Sequence, residues 1–545
     1  MRKFFFFFLL FVCIQNYSQN TVGTVFYDDT KTQEGYTLFT SFKKSYLINN
    51  CGQVINEWES NFPPGNAVYL LPNGNLLRAG REDGKSDITF GGMGGVVEIY
   101  NWGGDLIWSH SFNDNTQRQH HDIYPMPNGN ILVLVAELWT KNDAIEAGRN
   151  PAKITEERLY NEKIIEVTPV GTNQVQIVWE WSIKDHVIQD FDNTKSNFGN
   201  ISENPNRVDI NYLNQGNGSA NWLHINSIQY NEKRDQIVLS SRNLSEIWII
   251  DHSTTTLEAA TNSGGIYGKG GDLLYRWGNP QAYKIGDESN RKLFGQHYPH
   301  YIEEGLPDAG KLILFNNGDQ RNPFYSEVFV MSLPETNGIF SYTPNTDFGP
   351  ENPDYIYAQF DGTNNSNFYS RIVSGAQKLP NGNILICEGA KGNFFEIDSN
   401  EEIVWNYINP VNNNTGNVFN QGENALNNLS FRALKYPLDY VAFTGKNLNP
   451  GNTIEGGTSS CSTLSTSSES VSNISIYPNP SETGEFTINN QNDVLEITVY
   501  NLLGKKIYQT KNTKSIDLKE HSSGIYLARI LTNSGAITKK LIKTN

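Results

Sequence analysis

The chain has 545 residues, 37% of them hydrophobic and 12% aromatic, so most of it has enough apolar surface to fold into one large domain or several smaller ones. Acidic residues outnumber basic ones by 58 to 42, and the formal net charge of -16 repels the phosphates of nucleic acids and anionic lipids. This composition excludes a mainly disordered chain and argues against nucleic acid as a partner. The four cysteines lack a paired Cys-x-x-Cys spacing, and we expect neither stapling by disulfides nor a thiolate metal site.

Residues 1–19 are predicted to be a signal peptide. The basic pair Arg2 and Lys3 precedes an apolar run from Phe4 to Ile14, after which polar and small residues follow. This run is shorter than the roughly 20 residues that a membrane-spanning helix needs, and no later segment reaches that length without charge. We therefore expect export from the cytoplasm and no transmembrane helix.

A short sequence module recurs between residues 20 and 450. Pro-Asn-Gly-Asn followed by two aliphatic residues occurs at Pro72, Pro127 and Pro380, and each copy is typical of a turn that leads into a strand. A further strand with an acidic and an aliphatic residue follows, then a polar turn, then a strand that ends near an aromatic residue. These aromatic ends are Trp58, Trp108, Trp179, Trp277, Tyr357 and Trp405.

Six such modules predict an all-β fold, with a six-bladed β-propeller over residues 20–450. A β-solenoid and two stacked sandwiches are the alternative architectures. Three polar, weakly periodic segments lengthen the intervals between modules, and we expect them to be loops over one face: residues 142–162, 184–220 and 253–271. No stretch has the sustained 3.6-residue period of a helical domain.

The end of the chain is predicted to be a separate domain. Residues 451–473 are rich in Ser, Thr and Gly, as in a flexible linker, and residues 474–545 contain short alternating runs that favour a small β-sandwich. These runs are Phe486 to Ile488, Leu495 to Tyr500, Lys506 to Tyr508 and Ile525 to Ile530.

Four blocks in this tail occur in a characteristic order. They are Ile476 to Pro480, Val499 to Lys505, Ser523 to Leu527 and Lys539 to Leu541. With them the tail resembles the C-terminal sorting domain of cargo of the type IX secretion system of Bacteroidetes. The resemblance implies that the type IX machinery is a partner and that the chain passes through the periplasm to be secreted or held at the outer-membrane surface. A carbohydrate-binding or adhesive sandwich is the alternative.

Histidines mark the candidate site, because the innermost strands of a propeller line one central funnel. Five of the nine histidines fall in three motifs from different modules, which closure of the ring would bring together. The motifs are His120-His121-Asp122, His224-Ile225-Asn226 and Gln296-His297-Tyr298-Pro299-His300. Strand alternation would place His224 and Asn226 on one face. Arg242 ends a nearby strand, where its guanidinium can hold a tetrahedral oxyanion such as sulfate or phosphate.

Two other interpretations of these residues are open. His121 beside Asp122 and His297 could each be a structural, hydrogen-bonded histidine of the core, and three histidines could bind zinc or copper. Arg242 argues against the metal site, because a guanidinium repels a cation and attracts an anion. We therefore predict neither a metal nor a cofactor.

Over about residues 35 to 445 the chain resembles the arylsulfate sulfotransferases, a bacterial propeller family. The segments that carry the resemblance are residues 221–228, 239–243, 294–297, 374–377 and 387–389. The resemblance implies a histidine nucleophile that is transiently sulfated without a nucleotide sulfate donor, and this role matches His297. His224, Asn226 and Arg242 match residues that hold the sulfuryl oxygens. A further active-site histidine matches either His120 or His121.

The resulting prediction is a secreted enzyme that moves a sulfuryl group from an aryl sulfate donor to a phenolic acceptor by a ping-pong mechanism. His297, His224 and Arg242 are the predicted catalytic residues, and His121, His120 and Asn226 are predicted to bind substrate. A protonated His224 or His121 would stabilise or protonate the departing phenolate. The alternatives are an aryl sulfate hydrolase and a non-catalytic surface propeller that binds glycans or proteins.

Overall fold

The computed structural model describes residues 20–213, 218–360, 367–456, 475–489, 494–501, 506–532 and 535–544. It divides the chain into two compact units, Met1–Ser459 and Ser460–Asn545. The predicted signal peptide and residues 457–473 of the predicted linker lie outside the described residues. None of the helices in the described ranges is long and apolar enough to span a bilayer.

The first unit is built almost entirely of short strands. In chain order they are β1 (Gly23–Tyr27), β2 (Gly35–Ser41), β3 (Lys44–Asn49), β4 (Val54–Glu59), β5 (Pro64–Leu70), β6 (Leu76–Arg81), β7 (Gly95–Tyr100), β8 (Leu106–Ser111), β9 (Gln117–Pro125), β10 (Ile131–Thr140), β11 (Arg158–Val170), β12 (Gln174–Ser182), β13 (Val187–Ile188), β14 (Val208–Asp209), β15 (Ile225–Asn231), β16 (Gln236–Ser241), β17 (Glu246–Asp251), β18 (Tyr275–Trp277), β19 (His297–Tyr301), β20 (Leu312–Asn316), β21 (Glu327–Met331), β22 (Glu335–Thr336), β23 (Ile339–Phe340), β24 (Tyr355–Tyr357), β25 (Gly375–Lys378), β26 (Ile384–Glu388), β27 (Asn393–Ile397), β28 (Ile403–Ile408) and β29 (Ala433–Pro437).

The helices of this unit are short. They are α1 (Lys141–Glu146) and α2 (Thr256–Ala259), with 3-10 turns at Pro151–Lys153, Ile183–His186, Pro280–Tyr283, Glu288–Asn290, Gly389–Lys391 and Val441–Phe443. Two of the segments predicted to be loops therefore contain a helix, and the first also includes the start of the long strand β11.

Within the described residues, the longer strands pair into six antiparallel sheets, each named here in strand order from its inner strand. Sheet 1 is β29-β2-β3-β4, sheet 2 is β5-β6-β7-β8, sheet 3 is β9-β10-β11-β12, sheet 4 is β15-β16-β17-β18, sheet 5 is β19-β20-β21-β24, and sheet 6 is β25-β26-β27-β28-β1. The inner strands of successive sheets contact one another from β5 through β9, β15, β19 and β25 to β29. The two ends of the unit interlock, because β1 joins sheet 6 and β29 joins sheet 1.

The three Pro-Asn-Gly-Asn segments form the same turn. Each joins the first two strands of a sheet, in sheets 2, 3 and 6. The glycine of each has a positive φ, of 84° at Gly74, 87° at Gly129 and 92° at Gly382, a conformation that a side chain would strain. In each turn the second asparagine donates its backbone N–H to the side-chain oxygen of the first. The repeated sequence thus produces a repeated hairpin.

The aromatic ends of the modules fasten neighbouring sheets together. Each lies on the fourth strand of one sheet, and five of them are tryptophans that donate an indole N–H to the next sheet in the ring. The acceptors are Asn101 O for Trp58, Gln174 O for Trp108, Thr254 Oγ1 for Trp179, Pro350 O for Trp277 and Asn50 O for Trp405, at 2.7–3.1 Å. Apolar clusters fill the spaces between these sheets. The last bond joins sheet 6 to sheet 1 and so closes the ring.

At the centre of the unit lies a buried ion pair. Arg432, which directly precedes β29, donates from Nη2 to Asp122 Oδ2 at 2.9 Å and from Nη1 to the hydroxyl of Tyr69 at 2.7 Å. Asp122 lies on β9 and Tyr69 on β5, and Asp122 Oδ2 also accepts the backbone N–H of Ile228 from β15. The guanidinium carbon lies 3.6 Å from the ring centroid of Tyr298 on β19.

Sheet 6 reaches the same pair through Gly375 on β25. A Cβ at this glycine would lie 3.0 Å from the ring of Tyr298 and 3.5 Å from the stem of Arg432, so the inner strand approaches the pair closely. All six sheets therefore meet at the Asp122–Arg432 pair.

The second unit forms two sheets. Its strands are β30 (Ser475–Tyr477), β31 (Glu485–Asn489), β32 (Val494–Asn501), β33 (Lys506–Lys511), β34 (Ser515–Asp517), β35 (Gly524–Thr532) and β36 (Gly535–Lys543). One sheet is β30-β31-β34 and the other β33-β32-β35-β36, and both contribute to one apolar cluster that contains Ile488, Ile497 and Leu541. Each of the four predicted runs lies within a strand.

The prediction of an all-β chain is confirmed. Six blades and a C-terminal sandwich stay predictions, which the six sheets of the first unit and the paired sheets of the second support. The expectation of no disulfide was wrong at one position, because Cys51 is disulfide-bonded. Cys387 is a free, buried thiol.

Replacing Arg432 with Met should destabilise the first unit by about 3–5 kcal/mol, because the substitution leaves the buried Asp122 carboxylate without its counterion. Combining it with Asp122→Asn should recover part of this loss, since no buried charge then remains. Denaturant unfolding of the two single variants and the double variant measures the coupling. Arg81→Met is the control, because Arg81 pairs with Asp83 at the surface and should cost less than about 1 kcal/mol. A loss at Arg432 no greater than this control would contradict the role of the pair.

Candidate active site

Three of the predicted histidines meet where the inner strands of sheets 3, 4 and 5 converge. His121 lies on β9, His224 directly precedes β15, and His297 begins β19. The rings of His121 and His224 have centroids 4.5 Å apart, and the rings of His121 and His297 both lie within 6.5 Å of Phe431. Arg242 follows β16 and its backbone N–H donates to His224 O at 3.2 Å. We call His121, His224, His297 and Arg242 the histidine cluster.

The backbone at the histidine cluster is irregular, and this changes one expectation. His121 and His224 have φ values of 49° and 51°, in the left-handed region that costs a non-glycine residue about 1–3 kcal/mol. The pairing register also shifts along β9, β15 and β19. Such bulges re-aim side chains. Because His224 lies before β15 in this conformation, strand alternation does not describe its relation to Asn226.

His297 is held in one tautomer. Its Nδ1 lies 2.7 Å from Asn317 Oδ1 and 3.1 Å from Gly295 O, which are both acceptors, so Nδ1 carries the proton and Nε2 has a free lone pair. The amide of Asn317 cannot turn round, since its Nδ2 donates to Ser370 O and Val373 O at 2.7 and 2.8 Å. Burial, followed by the charge of Arg242, holds the pKa of His297 well below its usual value. The ring of His297 is therefore neutral at neutral pH, with an unprotonated Nε2.

Arg242 is oriented by a carboxylate. Its Nη2 donates to Asp319 Oδ2 at 2.5 Å, and its Nη1 lies 3.3 Å from Asn243 Oδ1. The side chain is 15% exposed and lines a cleft of about 170 Å³ together with Gly295 and Asp319. The guanidinium is thus accessible to an anion while one edge is fixed by Asp319.

His224 and His121 are both neutral. Asn221 Nδ2 lies 2.5 Å from His224 Nδ1; with the amide as donor, the ring proton is on Nε2. Burial, followed by the neighbouring His121 and Arg242, holds the pKa of His224 well below its usual value. Burial and then Arg242 lower the pKa of His121 to about 3. Each ring is therefore neutral in this structure and donates as a neutral N–H, and a protonated histidine in the cluster stays a prediction.

The structure distinguishes His121 from His120. His121 belongs to the cluster, and His120 lies behind it, fully buried, with the Nδ1 atoms of the two rings 2.9 Å apart. His120 Nε2 has no hydrogen-bond partner among the described residues, and it lies 3.8 Å from Glu162 Oε2. Burial raises the pKa of Glu162 to about 8, so this carboxyl group is mostly protonated at neutral pH. Glu162, His120 and His121 therefore form a row that leads from the core to the cluster.

Asn226 lies behind the histidine cluster. It is fully buried, and its Nδ2 donates to Gln296 O at 2.8 Å, directly before His297 in the chain. The structure therefore does not place Asn226 among the exposed groups of the cluster, but against the backbone that carries the candidate nucleophile.

A second cleft borders the cluster beside Phe90 and Phe431. It has a volume of about 230 Å³ and is lined in part by Phe90, Gly92 and Phe431. The ring centroid of Phe90 lies 6.0 Å from those of His121 and His224. Gly92 has a φ of 87°, and a Cβ there would lie 2.0 Å from His121 Nε2, so only glycine fits beside this ring.

The arrangement is suited to an anion attached to an aromatic group. It combines one accessible guanidinium, two neutral imidazoles and a free imidazole lone pair with an aromatic wall. In the part of the chain that the structure describes, no group of three or more His, Cys, Asp or Glu side chains could hold a metal ion. Sequence reasoning identified His224, His297 and Arg242, left His120 and His121 as alternatives for the fourth member, and missed Asn317, Asp319 and Glu162. All three reach the site from other strands or loops, and no local motif marks them.

Comparison with known families agrees with this geometry. Residues 28–432 match the model of the family described as arylsulfotransferase (ASST), and residues 475–544 match that described as a secretion system C-terminal sorting domain. The sorting domain is of the type IX secretion system and points to secretion or export to the cell surface. No curated protein matches the chain.

The solved structures that match the chain are distant from it in sequence. A Bacteroides caccae protein of unknown function has 12% identity and a TM-score of 0.38, covering 74% of this chain and 99% of its own. A protein from Lactobacillus plantarum has 8% identity and a TM-score of 0.34, covering 88% of this chain and 96% of its own. The periplasmic gluconolactonase of Pseudomonas aeruginosa has 10% identity and a TM-score of 0.33, covering 94% and 100%.

The tautomer of His297 can be measured directly. In protein labelled with ¹⁵N-histidine, the ring of His297 should be neutral at pH 6 with its proton on Nδ1, and the signal can be assigned by its loss in His297→Gln. Asn317→Leu should allow the Nε2–H tautomer to appear, because Gly295 O is then the remaining acceptor for Nδ1. A wild-type ring that is protonated on Nε2 would overturn the assignment of the lone pair.

Proposed function

Because the chain belongs to the arylsulfotransferase family, we propose that it transfers a sulfuryl group from an aryl sulfate to a phenolic acceptor by a ping-pong mechanism through a sulfated His297, without a nucleotide donor. The observation that carries this proposal is the fixed tautomer of His297, whose Nε2 lone pair is free while Nδ1 is bonded to Asn317 and Gly295. A neutral, oriented imidazole beside an accessible guanidinium is what attack on a sulfate ester requires.

In the first half-reaction, Nε2 of His297 attacks the sulfur atom. The N–S bond forms, the bond between sulfur and the aryl oxygen breaks, and its electron pair leaves on the phenolate. Nδ1 keeps its proton, so the sulfated ring is an imidazolium whose positive charge is stabilised by the hydrogen bond to Asn317 Oδ1. This bond is present before the reaction and strengthens as charge develops.

Arg242 and His224 hold the sulfuryl oxygens. The guanidinium is accessible and oriented by Asp319, and His224 donates from Nε2 when Nδ1 accepts from Asn221. Donors that are fixed before the reaction typically contribute several kcal/mol to such transfers. Asn226 acts differently from the sequence-based expectation, as a positioning residue that holds the backbone entering His297.

Glu162 supplies the proton for the departing phenolate through His120 and His121. With Glu162 protonated, its O–H faces His120 Nε2, His120 donates from Nδ1 to His121 Nδ1, and His121 presents an N–H at Nε2 to the cluster. Transfer along this row moves one proton onto the phenolate oxygen and leaves Glu162 as a carboxylate. In the second half-reaction the acceptor phenol attacks sulfur, the N–S bond breaks, and its proton returns along the same row.

The function is tested by measuring release of 4-nitrophenol from 4-nitrophenyl sulfate, with and without phenol added as the acceptor. Release should be stimulated by the acceptor, and His297→Ala should lower it about 1000-fold or more, because no nucleophile remains to accept the sulfuryl group. His110→Ala is the matched control, since His110 lies outside the cluster and bonds Asn173 O at the surface. Release of 4-nitrophenol at the same rate with and without added phenol would favour the hydrolase. No release from any aryl sulfate would favour a binding protein.

The proton path is tested by varying the leaving group. Glu162→Gln should leave kcat/KM for 4-nitrophenyl sulfate within a few-fold of wild type and lower it by about 100-fold for aryl sulfates of phenols with a pKa near 10, because only these need a proton. The measurement is the slope of log kcat/KM against the pKa of the phenol. Glu180→Gln, on β12 of the same sheet, is the control. The same slope in Glu162→Gln as in the wild type would show that Glu162 does not supply the proton.

A further inference from the structure

A second, larger cavity lies away from the histidine cluster. It has a volume of about 750 Å³, within the range of small-molecule sites, and is lined by residues of the Pro72 and Pro127 turns and by the inner strands. Tyr69 and Tyr298, which contact Arg432 in the central ion pair, also line it. None of the four cluster residues does, so the cavity is distinct from the proposed active site.

Tyrosine rings form much of the cavity wall. The tyrosines that line it are Tyr69, Tyr124, Tyr230, Tyr298, Tyr301, Tyr436 and Tyr440. Several hydroxyls are already bonded to the protein: Tyr436 accepts from Leu70 N and Tyr440 donates to Leu70 O, at 3.0 and 2.9 Å. With these hydroxyls occupied, the tyrosines offer a ligand their aromatic surfaces.

One carboxylate in the cavity lacks a counterion. Glu303 is exposed and lines the cavity, and its carboxylate forms no hydrogen bond or ion pair with another described residue. The surrounding wall nevertheless raises the pKa of Glu303 through desolvation, and its charge acts on Tyr124, Tyr298, Tyr436 and Tyr440.

The basic residues of the cavity are already paired. Lys233 bonds Glu304 at 2.8 Å and Lys378 bonds Asp308 at 3.2 Å. The remaining charge that faces a ligand is therefore negative, and Glu232, which also lines the cavity, adds to it.

His300 adds a neutral acceptor. Its Nδ1 lies 3.1 Å from Tyr298 O, so Nδ1 carries the proton and Nε2 is the unprotonated nitrogen. Burial lowers the pKa of His300 to about 4, and the ring is neutral at physiological pH. The cavity thus offers a carboxylate and an imidazole lone pair to a donor.

We propose that this cavity binds an organic ammonium ion with an aromatic or aliphatic body, with its charged group at Glu303 and His300 and its apolar body against the tyrosine wall. A cation is attracted by the faces of tyrosine rings as well as by a carboxylate, and both attractions grow as water is displaced. An anion would meet Glu303 without a compensating cation. The binding site is independent of the sulfuryl transfer proposed above.

The charge requirement is tested with three probes of similar shape: phenethylammonium, phenethyl alcohol and phenylpropionate. None carries a phenolic hydroxyl, so none can act as a phenolic acceptor. Calorimetric titration of the full chain should show binding of the ammonium ion at least about tenfold tighter than of the neutral and anionic probes. Addition of a saturating aryl sulfate should leave that binding unchanged, since the active site is separate.

Two variants of Glu303 assign the site. Glu303→Gln should weaken binding of the ammonium probe about tenfold, and Glu303→Lys should reverse the preference in favour of phenylpropionate. Glu402→Gln, which removes an exposed carboxylate that pairs with Lys31, is the matched control and should bind as wild type does. Equal binding of the three probes, no binding of the ammonium ion, or an unchanged affinity in Glu303→Gln would each overturn the proposal.

Discussion

The buried pair between Asp122 and Arg432 is the interaction on which the first unit depends. A charge removed from water costs several kcal/mol unless it is paired and its other lone pairs are bonded, and Asp122 meets both conditions. It accepts from Arg432, from the hydroxyl of Tyr69 and from the backbone of Ile123 and Ile228. Because these partners come from different sheets, the sheets cannot move apart without exposing a charge to water or leaving it buried without its partner. Apolar contacts between sheets have no such directional requirement.

The Asp122–Arg432 pair also contacts or adjoins residues of both candidate sites, the histidine cluster and the larger cavity. His121 is the residue before Asp122, so the backbone that fixes the carboxylate also fixes one ring of the histidine cluster. On the other side, Tyr69 and Tyr298 contact Arg432 and line the larger cavity. The two sides of this pair therefore differ in charge preference: the guanidinium of Arg242 at the histidine cluster attracts anions, and the carboxylate of Glu303 in the tyrosine cavity attracts cations.

Local patterns in the sequence predicted the features that depend on neighbouring residues. The Asn-Gly-Asn turns and the aromatic ends of the modules lie where their spacing indicated, because a turn or a strand end is determined by a few consecutive residues. The histidine motifs and Arg242 were found because each is a short cluster of polar residues beside an apolar strand.

Features set by distant contacts could not be found in this way. Asn317 acts on His297, and Glu162 on His120, through contacts between different strands or sheets, so no spacing reveals them. The alternation argument for His224 and Asn226 failed because the chain is left-handed at His224 before β15 begins.

Burial of the histidine cluster is consistent with the proposed sulfated intermediate, because attack on sulfur leaves the net charge of the His297 side chain unchanged. Neutral His297 has no net charge, and sulfated His297 combines an imidazolium ring with a sulfonate, so it has none either. The negative charge of the donor leaves with the phenolate, or stays on Glu162 when the row of Glu162, His120 and His121 has protonated the phenolate. A buried site that keeps its histidines neutral therefore opposes proton uptake from water without opposing sulfuryl transfer. This balance requires that Nδ1 keep its proton throughout, which is the constraint that Asn317 and its two backbone acceptors impose.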